Sequence, residues 1–292
     1  MSLRRTILAA AAVSAAMVAL PQAAQAHRAW LAPVATNFSG KDPWVTVDAA
    51  VSNDLFYADH QPMRLENVQA FAPDGSKLPL ENATRGKYRS TFDVHLTQPG
   101  TSKLTIFNSG LQGTYVLNGE TKRLGGRRGP PTAPVAGPGA GPPPAPPAPA
   151  TAADIPAGAT EIKLVEFSSR NETYVTAGAP TTEVFKPTGE GLELSPVTHP
   201  NDLVAGEPAT FKLLMDGKPA SDVEVTVAAA NQKFEDALPE RKIRTDASGA
   251  FKVEWPRAGF YWLTATAMGG PGKTPNSTRR GSYTATLEVQ KP

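Results

Sequence analysis

Four histidines, His27, His60, His95 and His199, are the side chains best suited to hold a metal ion in this chain of 292 residues, which has no cysteine. Without Cys there is no thiolate zinc site, no disulfide framework and no cysteine nucleophile. His27 differs from the others because it follows Ala24-Gln25-Ala26, a small-x-small sequence of the kind a signal peptidase cuts. A chain that begins at His27 carries a free α-amine beside an imidazole Nδ1, and the two make a bidentate chelate. Amine and imidazole nitrogens suit Cu(II), Ni(II) and Zn(II), with a histidine from elsewhere as third ligand. The amine binds only when deprotonated, and its ordinary pKa is about 8, so affinity is expected to rise with pH.

His60 is the candidate for the third ligand. It lies in the polar and aromatic stretch Asn53-Asp54-Leu55-Phe56-Tyr57-Ala58-Asp59-His60-Gln61-Pro62-Met63, where Asp59 is a further candidate and Asp54 and Met63 are close by. An ordinary surface-loop histidine fits the same sequence. His95 alternates with Phe92, Val94 and Leu96, so it points away from the core on the face shared by Thr91 and Asp93. Asp93 can then hydrogen-bond its ring, and a solvated strand face is the plainer alternative to a ligand role. His199 precedes Pro200 and reads as a loop residue.

Other chemistries find little to stand on. There is no Gly-x-Ser-x-Gly elbow, His-Glu-x-x-His pair or phosphate-binding loop, so the expectation is a protein that is not an enzyme. A copper oxygenase also uses an N-terminal histidine chelate on a β-sandwich, but it needs a second His and an open substrate face.

The elements that must position these residues begin with an export signal. Arg4 and Arg5 form its basic end and Ile7 to Leu20 its apolar stretch, which ends at Pro21 and is too short for a membrane anchor. Residues 1–26 are therefore expected to be removed, leaving a periplasmic protein with no membrane span. The full chain has 29 Lys+Arg against 27 Asp+Glu, and loss of Arg4 and Arg5 leaves it formally neutral. Nucleic-acid binding needs a basic footprint, so that class is excluded.

From Arg123 to Gly158 the composition collapses to Pro, Ala and Gly, with ten prolines between Pro130 and Pro149. Such a stretch builds no core and is expected to be a disordered, extended tether, residues 123–158. Before it, residues 27–122 alternate with period two, as in Val45, Val47, Ala49 and Val51, between turn-formers such as Pro73-Asp74-Gly75. After it, Ile162 to Phe167 can begin a strand or short helix and Thr173 to Thr176 a separate extended piece. Residues 159–193 are expected to complete the first β-sandwich, with the tether inserted in one of its loops. Residues 194–292 show about seven short strands, including the pair joined by Asp216-Gly217. That pattern predicts an immunoglobulin-like sandwich without its disulfide. The fold class expected is all-β, with two β-sandwich domains.

The segments Leu194-Ser195-Pro196, Ala205-Gly206-Glu207, Met215-Asp216-Gly217-Lys218-Pro219, Thr245-Asp246-Ala247-Ser248-Gly249 and Ala258-Gly259-Phe260-Tyr261-Trp262-Leu263 resemble the domain of unknown function 4198 family. The stretch His27-Arg28-Ala29-Trp30-Leu31-Ala32-Pro33 is similar to that family's usual mature terminus. The family consists of exported bacterial proteins, some of them named as periplasmic nickel- or cobalt-uptake components. The resemblance implies a divalent transition metal, nickel, cobalt or copper, as ligand, and a membrane transporter component as partner. A second reading, from another class, is a non-catalytic envelope adhesion or glycan- or protein-binding module. Trp30, Trp44 and Tyr57 would be its contact residues if exposed.

Overall fold

The computed structural model describes residues 27–125, 150–230 and 240–292. The expected export signal and the centre of the Pro-rich run lie outside the described residues. Within them the chain is all β, apart from three single-turn helices. The first strands are β1 (Arg28–Pro33), β2 (Asn37–Phe38), β3 (Trp44–Ser52), β4 (Gln61–Pro62), β5 (Val68–Phe71), β6 (Lys77–Leu78), β7 (Glu81–Arg85) and β8 (Ser90–His95). Then come β9 (Gly100–Leu117), β10 (Glu120–Leu124), β11 (Thr160–Ala177), β12 (Leu192–Pro196), β13 (Pro208–Met215) and β14 (Lys218–Pro219). The last are β15 (Glu224–Ala229), β16 (Arg241–Arg244), β17 (Ala250–Glu254), β18 (Gly259–Pro271) and β19 (Ser277–Val289).

In the first sandwich, the sheet β1-β3-β8-β7 faces β6-β5-β9-β11 across a core that includes Leu31, Val47, Phe92, Val94, Leu104 and Val175. The apolar alternation that predicts β3 and β8 is the inward face of this layer. On β3 the alternation breaks, because Ala49 and Ala50 are both buried while Val51 is half-exposed. Ala50 faces outward from the first core and is covered instead by the second sandwich, in a third apolar cluster with Trp30, Leu55 and Ala228.

The second sandwich sets β12-β13-β17 against β16-β15-β18-β19, the strand order of an immunoglobulin-like fold. Asp216 and Gly217 both have positive φ, +50° and +77°, as a type I′ hairpin requires. In place of a disulfide, Trp255 packs edge-on against Tyr261 with ring centroids 4.9 Å apart. The Tyr261 hydroxyl donates to the carbonyl of Arg257 at 2.8 Å, and such a tyrosine near the start of this strand ties down the preceding corner in immunoglobulin-like sandwiches.

β11 corrects the sequence reading. The two pieces expected at 162–167 and 173–176 are one continuous strand that pairs antiparallel with β9 along almost its whole length. Its other edge pairs in parallel with β19, from Leu164↔Ser277 to Thr173↔Thr286. The two sandwiches therefore share one sheet of ten strands. From Arg170 to Ala177 every residue is buried, so both faces are covered and the usual polar/apolar alternation is lost.

Buried charge accumulates at this seam. Arg170 lies 3.5 Å from both Glu172 and Glu193, and its guanidinium sits over the Phe107 ring at 4.6 Å. Glu172 accepts hydrogen bonds from the hydroxyls of Tyr174 at 2.6 Å and Tyr283 at 3.0 Å. Burial, with the Glu172 charge beside them, pushes both tyrosines well above the usual phenol value.

Candidate functional site

β3 positions the candidate site. At its Ser52 end β1 lies on one edge, with Arg28 opposite Ser52, and β4 on the other, with Gln61 opposite Val51. His27 immediately precedes β1 and His60 immediately precedes β4. Their backbones are thus two strand spacings apart, about 10 Å, and the side chains meet over the end of β3. The imidazole rings stack, with centroids 3.7 Å apart and planes 10° from parallel, and both residues are exposed.

Contacts to the second sandwich hold the start of β1 in place. Trp262 Nε1 donates to the Ala29 carbonyl at 3.1 Å. Arg28 lies over the Trp262 ring at 5.6 Å and forms an ion pair with Glu240. Trp30 is buried next door, and its Nε1 donates to Ser52 Oγ at 2.7 Å. Ser52 Oγ in turn donates to the Asp54 carbonyl at 2.6 Å, which turns the chain into the loop that carries His60.

That loop is closed by Asp59. Its Oδ1 accepts from the Asn53 backbone N–H at 2.9 Å and its Oδ2 faces Asn53 Nδ2 at 3.4 Å. Slight burial pushes the Asp59 carboxyl up, but the Asn53 donors outweigh it and hold the group below the usual carboxylate value. Asp59 is thus engaged in shaping the loop. Phe56, with φ +59°, sends its ring against Trp30 and Phe260, anchoring the middle of the loop to both sandwiches.

The remaining histidines stand elsewhere. His95 is paired with Trp44 at the far end of β3, eight residues and about 26 Å from Ser52, so no single ion reaches both it and His27. Its ring stacks on Trp44 at 4.4 Å, and its Nε2 lies 2.5 Å from Asp42 rather than near Asp93. Asp93 is taken by Thr46 Oγ1 at 2.6 Å and Asn82 Nδ2 at 2.8 Å. His199 accepts from the Asn201 N–H through Nδ1 and lies 3.1 Å from the Thr181 carbonyl through Nε2. It is therefore a neutral ring, and its burial pushes its pKa down. Among the described residues, no group of three or more His, Cys, Asp or Glu side chains is arranged around a common point. Of the aromatics singled out in the sequence, Trp30 is buried, whereas Trp44 and Tyr57 are 40% and 45% exposed.

Chemically, the stacked pair brings two imidazole rings face to face. An ion bound by imidazole sits close to the ring plane at about 2.0–2.1 Å from nitrogen, so one ion shared by both rings requires one of them to turn about its Cβ–Cγ bond. Torsions of that kind have broad minima, and exposure leaves the rings free to make the turn. The Arg28–Glu240–Trp262 clamp carries no signal in the sequence, because it joins segments whose proximity only the folded chain creates, whereas the Asp59 brace closes on Asn53 within its own loop.

The family described as Domain of unknown function (DUF4198) matches residues 24–269. No curated protein matches the chain in sequence. Among solved structures, the D0-D1 domain of Intimin is similar at 13% identity, with 89% of this chain and 96% of that chain covered and a TM-score of 0.22. The D1-D4 ectodomain fragment of ICAM-5 is similar at 10% identity, with 91% and 51% covered and a TM-score of 0.21. TM-scores of this size carry no argument, and the architecture above rests on strand pairing. No helix among the described residues is long and apolar enough to cross a membrane.

Proposed function

The chain belongs to the DUF4198 family, whose match spans most of its length, and on that premise we propose that it is an exported periplasmic protein that binds a divalent transition metal and assists its uptake. The ion is the cargo, and the ligands are the His27 α-amine and imidazole with the His60 ring. The observation that carries this reading is the contact between those rings, made by residues 33 positions apart in the sequence. Nickel or cobalt is the expected ion from the family resemblance. Amine and imidazole donors also suit copper. The second sandwich serves as the platform that fixes β1 through Trp262 and Glu240, and a membrane transporter component is the expected recipient.

The test uses protein that begins at His27, protein with one alanine added ahead of His27, and a His60→Ala variant. Each is titrated calorimetrically with Ni(II), Co(II) and Cu(II) at several pH values. The added alanine moves the free amine away from the His27 ring, so both changes are expected to weaken binding, and affinity of the parent is expected to rise as pH approaches the amine's ordinary value of about 8. Equal affinity in all three proteins overturns the reading. So does an exported product whose mass places its first residue anywhere other than His27.

A further inference from the structure

The sheet shared by the two sandwiches is longer than the layers packed on it. On one face, β9 and β11 enter the first core only at one end, through Leu104, Ile106, Val175 and Ala177. Beyond Asn108 and Ser169 that face runs on across β10, β9, β11, β19 and β18, and most of its side chains are exposed or half-exposed. The opposite face of the same stretch is covered by the second sandwich. A Cβ on Gly281 would come within 2.7 Å of Met215 Sδ and 2.9 Å of Leu192, and Arg279 pairs there with Asp216.

Strand register fixes which residues share the open face, because directly paired residues point the same way. Arg123 and Lys163 lie opposite Thr114 from its two sides. Four residues along β11, one row crosses the sheet through Gly110, Phe167, Arg280 and Met268. A Cβ on Gly110 would come within 3.2 Å of the Phe167 ring, so the ring lies on this side. The paired residues of the open face thus include three cations, Arg123, Lys163 and Arg280, all exposed, and no acid. None of the three has an ion-pair partner among the described residues. Glu120 faces the other way with Lys122, and Glu161 sits in the unpaired bulge before Lys163. Among the cations stand Met268, which is 65% exposed, and the half-buried Val165 and Phe167.

We infer that this face docks the protein on an anionic phospholipid leaflet. A solvent-facing sheet surface ordinarily mixes both signs of charge, whereas here unpaired cations alone surround apolar side chains. That is the charge complement of a lipid surface: the guanidinium and ammonium groups meet phosphates while Met268 and Phe167 reach the acyl boundary. Five strands at about 4.8 Å make the face about 19 Å wide, so a flat surface touches all three cations at once. The contact uses neither His27 nor His60, and it and the metal reading therefore fail separately.

Co-sedimentation of the full mature chain with lipid vesicles tests this, with EDTA present so that no metal ion bridges protein and phosphate. Vesicles of phosphatidylglycerol and phosphatidylcholine in equal parts are expected to bind the protein at low salt, about 0.05 M, and to release it as salt is raised and screens the charges. Vesicles of phosphatidylcholine alone are expected not to bind it. Arg123→Gln, Lys163→Gln and Arg280→Gln should each weaken binding about 5-fold, and the triple variant about 100-fold or more. Met268→Ser should weaken it without altering the salt dependence. Lys252→Gln removes an exposed cation from the outer side of β17, across the second core from this face, and should leave binding unchanged. Equal binding to both kinds of vesicle overturns the inference, as does a triple variant that binds like the parent. A loss in Lys252→Gln equal to that in Arg280→Gln overturns it too, and so does soluble polyphosphate binding as tightly as the vesicles.

Discussion

Replacing Glu172 by Gln should weaken the junction between the two sandwiches more than any other isosteric change. The side chain is 4% exposed and receives the hydroxyls of Tyr174 and Tyr283 on one oxygen, with Thr105 Oγ1 at 3.3 Å and Arg170 at 3.5 Å on the other. An amide oxygen can keep the two tyrosines, but its NH₂ then points at Arg170, donor against donor, while the Thr105 hydroxyl can turn to accept. Removing one partner of a buried ion pair costs about 3–5 kcal/mol. Arg170 retains Glu193 at 3.5 Å, which puts the expected loss at the lower end, about 3 kcal/mol. For a protein of this size that corresponds to a fall in Tm of about 6–12 °C. Tyr283→Phe, which removes one donor and leaves the charges in place, is expected to cost about 1 kcal/mol. Because both residues meet at one oxygen, the double variant should depart from additivity by at least about 0.5 kcal/mol. Urea unfolding at neutral pH, followed by circular dichroism and checked by calorimetry, measures all three. A Glu172→Gln protein within about 0.5 kcal/mol of the parent would refute the claim that this network secures the seam.

Two further outcomes are expected. Burial pushes the Glu166 carboxyl up, but donors from Lys273, Thr274 and Ser277 more than offset this and hold it at about 2, against an ordinary 4.5. A depressed carboxylate stabilises the fold fully above its unfolded value and loses that contribution as pH falls through its folded one, so unfolding free energy should decline between pH 4.5 and 2. Glu166→Gln should flatten that part of the profile, and identical slopes in the two proteins would exclude the cause. Separately, a Cβ placed on Gly125 would come within 3.1 Å of the Ala150 Cβ, so the ends of the 126–149 segment meet. Exchanging those residues for a four-residue Gly/Ser linker should therefore stabilise the protein by about 1.6 kcal/mol in loop-closure entropy, and a loss of stability on urea unfolding would count against an inserted loop.

The parts of the fold that can be read from the sequence are those with one wet face. Phe92, Val94 and Leu96 announce the inward side of β8, and Asp216-Gly217 announces its hairpin, because each depends on local alternation or on φ alone. β11 escapes because Arg170, Asn171, Glu172 and Thr173 are polar yet buried, and their partners come from segments as far as 113 residues away. At the site, His27 and His60 can be nominated by type and position, and the structure brings their rings together. The orientation of His95 is also legible, but its partner is not. Thr46 lies directly across the strand pair from Asp93, closer than a residue two places along the same strand, so it captures the carboxylate expected to serve His95. Asp42, in the turn before β3, takes that place.

The parallel joining of β11 to β19 has a bearing on how the polypeptide matures. The residues that pair with the open flank of β11 from Leu164 to Thr173 lie between Ser277 and Thr286, 113 positions further along the chain. Until those residues emerge, the first sandwich exposes a long row of unsatisfied amides and carbonyls, which is the kind of template that recruits foreign chains into aggregates. Assembly of the first sandwich is thus hostage to β19. A polypeptide cut before Ser277 would keep most of its first core and carry a sticky border that only β2, opposite Thr176 and Ala177, covers in part.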